Sequence, residues 1–307
     1  MIVVSLYNVH KTYQKITALK KISFEVNKGE LFGLIGPDGA GKTSLFRLLA
    51  TLLIQDSGSI DVLGYDSLKD YKIIRTKLGY MPGTFSLYGD LTVEENLKVF
   101  ASLFHTSIEQ NMHLIHTVYQ QLSPFKDRRA ANLSGGMKQK LALCCALIHK
   151  PELLLLDEPT MGVDPTSRKE FWDILKTLES QGITIIVSTP YMDEASLCDR
   201  IALMQNGEIL QLNSPEQIVR DFKPKIYAAK ADQMYPLLEE LQKIKQIISV
   251  YPFGETHHIT VDEQIRFPIK EILQDLKKKK ITGLEITPIP ASIEDCFMYL
   301  SKQHDRS

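Results

Sequence analysis

The chain has 307 residues, 44% of them hydrophobic, and a formal net charge of −1. This length suits about two domains, and the apolar fraction is ordinary for a globular protein with a packed core. The near-neutral charge gives no electrostatic basis for binding a polyanion, so we expect no nucleic-acid partner. The four cysteines form no C-x-x-C pair, which indicates reduced structural thiols in a cytosolic protein.

The apolar segments of the chain are short. The longest run, Leu141 to Ile148, is far below the roughly 18 residues that a spanning helix requires. The first residues contain Lys11 and no apolar core long enough for a secretory signal. We therefore expect that no segment crosses a membrane, and that a pore, if there is one, belongs to another polypeptide.

In chain order, residues 1–30 and 58–66 alternate between apolar and polar side chains and predict an antiparallel sheet. The run from Leu31 to Ile35 is apolar throughout and predicts a buried strand. The next segment fits G-x-x-x-x-G-K-[ST] in full, and a predicted helix follows it from about Ser44. Its eight residues are Gly36, Pro37, Asp38, Gly39, Ala40, Gly41, Lys42 and Thr43.

This glycine-rich segment predicts a site for a nucleoside triphosphate. The glycines allow successive backbone N–H groups to surround phosphate oxygens, and the helix N-terminus adds partial positive charge. Lys42 is expected to reach the β- and γ-phosphates, and the hydroxyl of Thr43 to bind Mg²⁺. A glycine-rich turn without a ligand is the alternative, and the strand–loop–helix context disfavours it.

A second anion site is predicted after residue 90, where the sequence becomes mostly helical. Thr92 to Glu95 has the form of a capping box. Ser134 is a predicted N-cap, and the helix that it begins, Gly135 to Ile148, presents free N–H groups at its start. The alternative is an ordinary capped helix.

Two acidic residues end the next apolar segment. The run from Leu153 to Leu156 is typical of a parallel strand that is covered on both faces, and Asp157 and Glu158 follow it. Ligands of such sheets bind beyond the carboxyl ends of the strands. We expect Asp157 to hold Mg²⁺ and Glu158 to act as general base on the attacking water. Without the preceding triphosphate-binding motif, such acids would usually be solvated loop residues.

The residues Leu133-Ser134-Gly135-Gly136, just before this strand, resemble the signature of one family, the ATP-binding cassette (ABC) ATPases. The resemblance extends over roughly the first 220 residues. It implies an α/β fold of the P-loop NTPase class, with an antiparallel β subdomain and a helical insertion at about 84–148. It also implies a head-to-tail pair of cassettes, in which Ser134, Gly135 and Gly136 of one cassette cover the nucleotide of the other.

Further residues match the family. Tyr13 lies where the family has an aromatic ring that stacks on adenine, and a strand-end tyrosine is the alternative. Asp164 lies in a loop, Gly162 to Pro165, whose aspartate bridges the two cassettes in the family. Asn206-Gly207 is predicted to form a two-residue hairpin turn, because both positions of that turn need positive φ.

Two positions depart from the family pattern. Gly83 stands where the family normally has a glutamine that contacts Mg²⁺ and the attacking water. Pro190 stands where it normally has a histidine that contacts the γ-phosphate. One interpretation is a subfamily variation that neighbouring residues compensate, namely Ser86, Thr189 or Tyr191. The other is slow turnover at this chain's own site, with its intact signature completing a better site on an unlike cassette.

The sequence pattern changes near Phe222. Residues 1–221 are predicted to form the cassette, and residues 222–307 a small α+β accessory domain. The segment from Ile289 to Phe297 resembles the tail found after the cassettes of two-component drug and antibiotic exporters.

The resemblance implies an ATP-hydrolysing exporter subunit that uses ATP and Mg²⁺. Its implied partners are a separate transmembrane permease subunit and a second cassette, like or unlike. It would then lie on the cytoplasmic side, bound to the inner face of the cell membrane through the permease. A soluble regulatory cassette, or one acting in translation or repair, is the competing interpretation.

Overall fold

The computed structural model describes residues 1–304. The chain divides into two compact units, Met1–Asn213 and a second unit that begins at Ser214. This division falls slightly earlier than the sequence-based boundary after residue 221. The short helix α7, Pro215–Asp221, packs against the last helix of the second unit, Ile293–His304, and therefore belongs with it.

An antiparallel sheet of four strands forms one layer of the first unit, in the order β2-β1-β4-β5. The predicted antiparallel sheet is therefore present over both expected segments. Its strands are β1 (Ile2–Tyr13), β2 (Ile16–Asn27), β4 (Ser57–Val62) and β5 (Tyr65–Asp66).

The second sheet of this unit has six strands in the order β10-β9-β3-β8-β7-β6. Five strands run parallel, and β10 pairs antiparallel at the edge. The strands are β3 (Leu31–Ile35), β6 (Leu78–Met81), β7 (Leu153–Asp157), β8 (Thr184–Thr189), β9 (Arg200–Gln205) and β10 (Glu208–Asn213). Every residue of β3, β7 and β8 is buried, as expected for parallel strands covered on both faces.

Local sequence signals account for several ends of these elements. Asn206 and Gly207 have φ of 50° and 79°, which confirms the predicted turn between β9 and β10. The capping box is also confirmed, because Thr92 and Glu95 exchange side chain-to-backbone hydrogen bonds at 2.8 and 3.2 Å. The helices are α1 (Lys42–Leu49), α2 (Tyr71–Lys77), α3 (Val93–Leu103), α4 (Ile108–Leu122), α5 (Gly135–Leu147) and α6 (Pro165–Ser180).

The second unit is a small α+β domain. Its strands are β11 (Lys225–Lys230), β12 (Ile247–Phe253), β13 (Thr256–Val261) and β14 (Glu285–Ile289), and its helices after α7 are α8 (Met234–Gln242), α9 (Ile269–Lys278) and α10 (Ile293–His304). The strand order β12-β13-β11-β14, all antiparallel, is the ferredoxin-like βαββαβ arrangement. Ile259 packs in the core with α8 and α9, while its neighbour His258 faces the opposite side and bonds Asp295 of α10 at 2.8 Å.

Across residues 1–304, no helix combines the length and the apolar character needed to cross a membrane.

Candidate nucleotide-binding site

The predicted site residues gather at one edge of the six-stranded sheet. The strand register sets Ile35 opposite Thr189, and Asp157 opposite Ser188. The carboxyl ends of β3, β7 and β8 therefore meet at this edge, where ligands of parallel sheets bind. The amide of Gly36 donates a hydrogen bond to the carbonyl of Thr189 at 3.3 Å and joins the loop after β3 to the end of β8.

Close backbone contacts explain two glycines of the loop. A Cβ at Gly36 would lie 2.2 Å from the carbonyl oxygen of Met204. A Cβ at Gly41, whose φ is 103°, would lie 2.5 Å from the carbonyl oxygen of Ala18. Only glycine fits at these positions. The loop is thus pressed against β9 and β2, and its N–H groups are held at the start of α1.

Lys42 provides the positive charge of the site. Its side chain is 3% exposed, and its Nζ donates to the carbonyls of Gly36 at 2.7 Å and of Pro37 at 2.9 Å. The same Nζ lies 3.1 Å from Oε1 of Glu158. A buried ammonium needs such partners, and here they orient it beside the acid pair. A triphosphate entering the site would compete with Glu158 for this ammonium.

A cavity of about 630 Å³ opens over this loop, a size suited to a nucleotide. Tyr13, Glu158 and the loop lie on its wall together. The ring of Tyr13 is partly exposed, and Lys11 Nζ lies 5.9 Å from its centroid. A flat ring at the cavity wall suits stacking against a purine base. The loop residues on the wall are Asp38, Gly39, Gly41, Lys42, Thr43 and Ser44.

The acid pair is held by a residue that the sequence analysis missed, Ser188. Its Oγ donates to Oδ1 of Asp157 at 2.7 Å and accepts from the amide of Glu158 at 2.9 Å. Glu158 has φ of 51°, a left-handed conformation that a glutamate rarely adopts. Ser188 therefore fixes both carboxylate residues in place. The sequence did offer one signal for Ser188, since it is a hydroxyl residue near the end of a mostly apolar strand.

The residues present fit Mg²⁺. The hydroxyl of Thr43 and the carboxylate of Asp157 are hard oxygen donors, which this cation prefers. Asp157 is only 2% exposed, so its charge favours a cation beside it. Burial, with the nearby Asp157 charge as a second cause, raises the pKa of Tyr80 to about 12, so this neighbour stays neutral.

The two positions that depart from the family pattern border the same edge. A Cβ at Gly83 would lie 3.1 Å from the carbonyl oxygen of Asp157, so a side chain there would begin beside the acid pair. Pro190 directly follows β8. The segment after it is held by the amide of Tyr191, which donates to Oγ1 of Thr189 at 3.0 Å.

The signature residues form a second group. Ser134 caps α5, its Oγ accepting from the amide of Met137 at 3.4 Å. Asp164 caps α6 by accepting from the amide of Ser167 at 3.0 Å, and this hydrogen bond lowers the pKa of Asp164.

The starts of α5 and α6 lie against each other. A Cβ at Gly136 would meet the side chain of Ser167 at 2.8 Å, whereas at Gly135 the nearest atom would be the carbonyl oxygen of Gly162, at 3.5 Å. Ser134, Gly135, Gly136 and Asp164 are thus brought together. They do not line the cavity over the glycine-rich loop of their own chain.

Comparison with known proteins identifies the family. The ABC transporter profile matches residues 19–161. The Nod factor export ATP-binding protein I of Rhizobium sp. (strain N33) is 33% identical, over 98% of this chain and 97% of its own length. The chain belongs to the ABC transporter family.

Two further comparisons show how far the similarity of this ABC protein extends. The "Probable multidrug ABC transporter ATP-binding protein YbhF" of Escherichia coli (strain K12) is 45% identical over 66% of this chain. The match spans only 36% of that relative's length. A dimeric ATP-binding cassette solved in a post-hydrolysis state with ADP and Pi superimposes with a TM-score of 0.63 at 26% identity. It covers 69% of this chain and 98% of its own.

Ser188→Ala in this ABC protein is expected to lower kcat for ATP hydrolysis by about 10- to 100-fold, because both carboxylate residues lose a hydrogen bond that fixes them. ATP affinity is expected to stay close to wild type, since Lys42 and the loop are untouched. Phosphate release and binding of a fluorescent ATP analogue measure the two effects. Ser180→Ala, an exposed change at the end of α6, is the matched control. A wild-type kcat in Ser188→Ala would contradict this role.

Proposed function

We propose that this chain is the ATP-binding and ATP-hydrolysing subunit of an ABC exporter. One observation carries the proposal: the phosphate loop, the Lys42 ammonium and the Glu158 carboxylate line one cavity, with Nζ and Oε1 only 3.1 Å apart. Export is supported by the relatives, one named for Nod factor export and one for multidrug transport. The transported substrate of this chain is set by its membrane partner.

The residues of the cavity have distinct roles in hydrolysis. Lys42 and the loop amides hold the β- and γ-phosphates, and Tyr13 stacks on the base. Thr43 and Asp157 would hold Mg²⁺, which when bound offsets the negative charge of the phosphates. Glu158 accepts a proton from the attacking water while the bond from the γ-phosphorus to the bridging oxygen breaks.

A second cassette completes the site. The start of α5 carries free N–H groups and partial positive charge suited to a γ-phosphate. Ser134, Gly135 and Gly136 lie outside their own chain's ATP cavity, so they are available to another chain's nucleotide. Asp164 lies beside them and would bridge the two cassettes. A second copy of this chain and an unlike cassette both fit this arrangement.

The partner that uses the free energy of ATP hydrolysis is a separate transmembrane permease subunit. An apolar groove of about 250 Å³ in the first unit lies between the core and the helical insertion, lined by Leu52, Tyr80, Phe100 and Phe104. Leu52, on the wall of this groove, is 56% exposed and therefore accessible to a partner. Tyr80 also lies close to Asp157, so this groove is near the acid pair. We assign it to a cytoplasmic segment of the permease, which would hold the chain at the inner face of the cell membrane.

Isolation of the tagged chain from membranes tests this assignment. We expect a multi-span membrane protein to co-purify with it, and Leu52→Asp to reduce that recovery because it places a charge in the groove. Lys69→Asp, an exposed change elsewhere in the unit, is the control. Recovery of the chain only as a soluble protein without a membrane partner would favour a regulatory or translation-type cassette instead.

The second candidate is a slow cassette paired with an unlike, faster one. It is favoured by Gly83 and Pro190, which remove two side chains from the edge of the sheet beside Asp157. Pro190→His is then expected to raise kcat by about tenfold or more, since it supplies a donor to the γ-phosphate in the transition state. Phosphate release by the purified chain measures this. Turnover typical of a consensus cassette in the wild-type chain, unchanged by Pro190→His, would sink the slow-site idea and favour compensation by neighbours.

A further inference from the structure

Glu194 is a buried carboxylate that the hydrolysis scheme does not use. It lies in the turn Met192–Leu197 after β8 and is 2% exposed. Its Oε1 accepts from Oγ1 of Thr160 at 2.9 Å. Its Oε2 is also buried and has no hydrogen-bond partner among residues 1–304. A carboxylate in such a place is costly unless a cation is close.

Arg168 on α6 is that cation. Its Nε lies 3.7 Å from Oε1 of Glu194, and its Nη2 lies 2.8 Å from Oδ2 of Asp193. The guanidinium carbon lies 4.8 Å from the ring centroid of Tyr191. Three residues of one segment therefore hold one planar cation by charge and by ring contact. This segment directly follows Pro190.

The two partners of Glu194, Thr160 and Arg168, both lie close to residues of the candidate nucleotide site. Thr160 is buried and lies two residues after Glu158. Its carbonyl accepts from the amide of Val163 at 3.2 Å, and the carbonyl of Glu158 accepts from Met161 at 3.1 Å. Residues 158–163 thus form two overlapping turns, and Asp164 follows them as the N-cap of α6.

Arg168 contacts Asp164, the residue that follows these turns. Its amide donates to the carbonyl of Asp164 at 2.9 Å, within the first turn of α6. Glu194 is therefore hydrogen-bonded to Thr160, which lies close to the general base Glu158. It is also paired with Arg168, which lies on the helix that begins at Asp164.

We propose that Glu194 and Arg168 are positioning residues for ATP hydrolysis. Glu194 acts through Thr160 to fix Glu158, and Arg168 links the same carboxylate to the helix that carries Asp164. Asp164 lies beside the signature residues, where a second cassette would dock. Docking of that cassette would therefore affect the position of the general base, Glu158. This inference rests on the proposed ATPase function.

Three variants test it: Glu194→Gln keeps the size, Thr160→Val removes the hydroxyl, and Arg168→Gln removes the cation. We expect each to lower kcat by about 10- to 100-fold, with the Kd of a fluorescent ATP analogue within about twofold of wild type. Thr160→Ser is expected to restore kcat, which a purely packing role would not predict. Because the residues act as one unit, the double variant of Glu194 and Arg168 should lose less than the product of the single losses.

Lys169→Gln, an exposed neighbour on α6, is the matched control for Arg168→Gln. Thermal unfolding separates positioning from stability. A kcat within twofold of wild type in Glu194→Gln and Thr160→Val overturns the inference and leaves the ATPase proposal standing. Parallel losses of kcat, ATP affinity and Tm also overturn it, since they indicate a structural role alone. Absence of hydrolysis by the wild-type chain would overturn both.

Discussion

Glu158→Gln is expected to lower the rate of ATP hydrolysis by about 10²- to 10⁴-fold, the usual contribution of a general base. Glutamine has the same size as glutamate, so the turn after β7 is kept, as is the hydrogen bond that the amide of residue 158 donates to Oγ of Ser188. The lost property is the ability to accept a proton from the attacking water.

The same variant is expected to bind ATP more tightly than wild type. In the structure the carboxylate of Glu158 lies 3.1 Å from the ammonium of Lys42. It would therefore compete with a bound phosphate for this ammonium. A neutral amide competes less and does not repel the γ-phosphate. ATP-bound dimers should therefore accumulate.

Phosphate release and size-exclusion chromatography with ATP and Mg²⁺ measure the two consequences. Glu216→Gln, an exposed change in the first turn of α7, is the matched control. A hydrolysis rate in Glu158→Gln within a few-fold of wild type would show that another group takes the proton.

Gly135→Asp is expected to abolish most hydrolysis by an electrostatic effect on a neighbouring chain's nucleotide. The start of α5 provides positive potential, and a carboxylate there would face the γ-phosphate. We expect a rate loss of about 10²-fold or more, the size of a repulsion of a few kcal/mol. ATP binding by the isolated chain should be unchanged, because Gly135 is not on its own cavity wall.

Gly135 is preferable to Gly136 for this test. A Cβ at Gly136 would lie 2.8 Å from Ser167, so any substitution there disturbs the packing of α5 on α6. At Gly135 the nearest contact of a Cβ is 3.5 Å, an ordinary distance. Gly135→Ala is the control that adds the carbon without the charge, and it should lose far less activity. Equal losses in Gly135→Ala and Gly135→Asp would contradict the electrostatic account.

Local sequence was enough to predict much of the fold. The strands β3 and β7, the capping box at Thr92 and the turn at Asn206 each depend on residues that are close in the chain. The helix α10 was not assigned, because its pattern was interpreted only as an exporter-like tail. The division after Asn213 depends on the packing of α7, which sequence alone does not show.

The candidate site shows the same limit. The glycine-rich motif predicted the residues that bind phosphate. The register of the β-strands then places Glu158 on the wall of the same cavity. Ser188 and Asp157 are 31 residues apart, and Thr160 and Glu194 are 34 apart. These contacts depend on which strands are neighbours and on their register, so no local pattern reveals them. The chemical roles assigned to Tyr13, Asp164 and the signature residues stay predictions.

The most direct test of the account asks whether one ATP site is built from two chains. Lys42→Ala removes the phosphate-binding ammonium from the loop half of the site. Gly135→Asp inactivates the signature half. Each purified variant should hydrolyse little ATP. In a mixed dimer of head-to-tail chains both defects fall on one site, and the other site is intact. The account predicts that mixing the two variants raises phosphate release well above the sum of their separate rates. A mixture that stays at that sum would contradict a site shared between two copies of this chain.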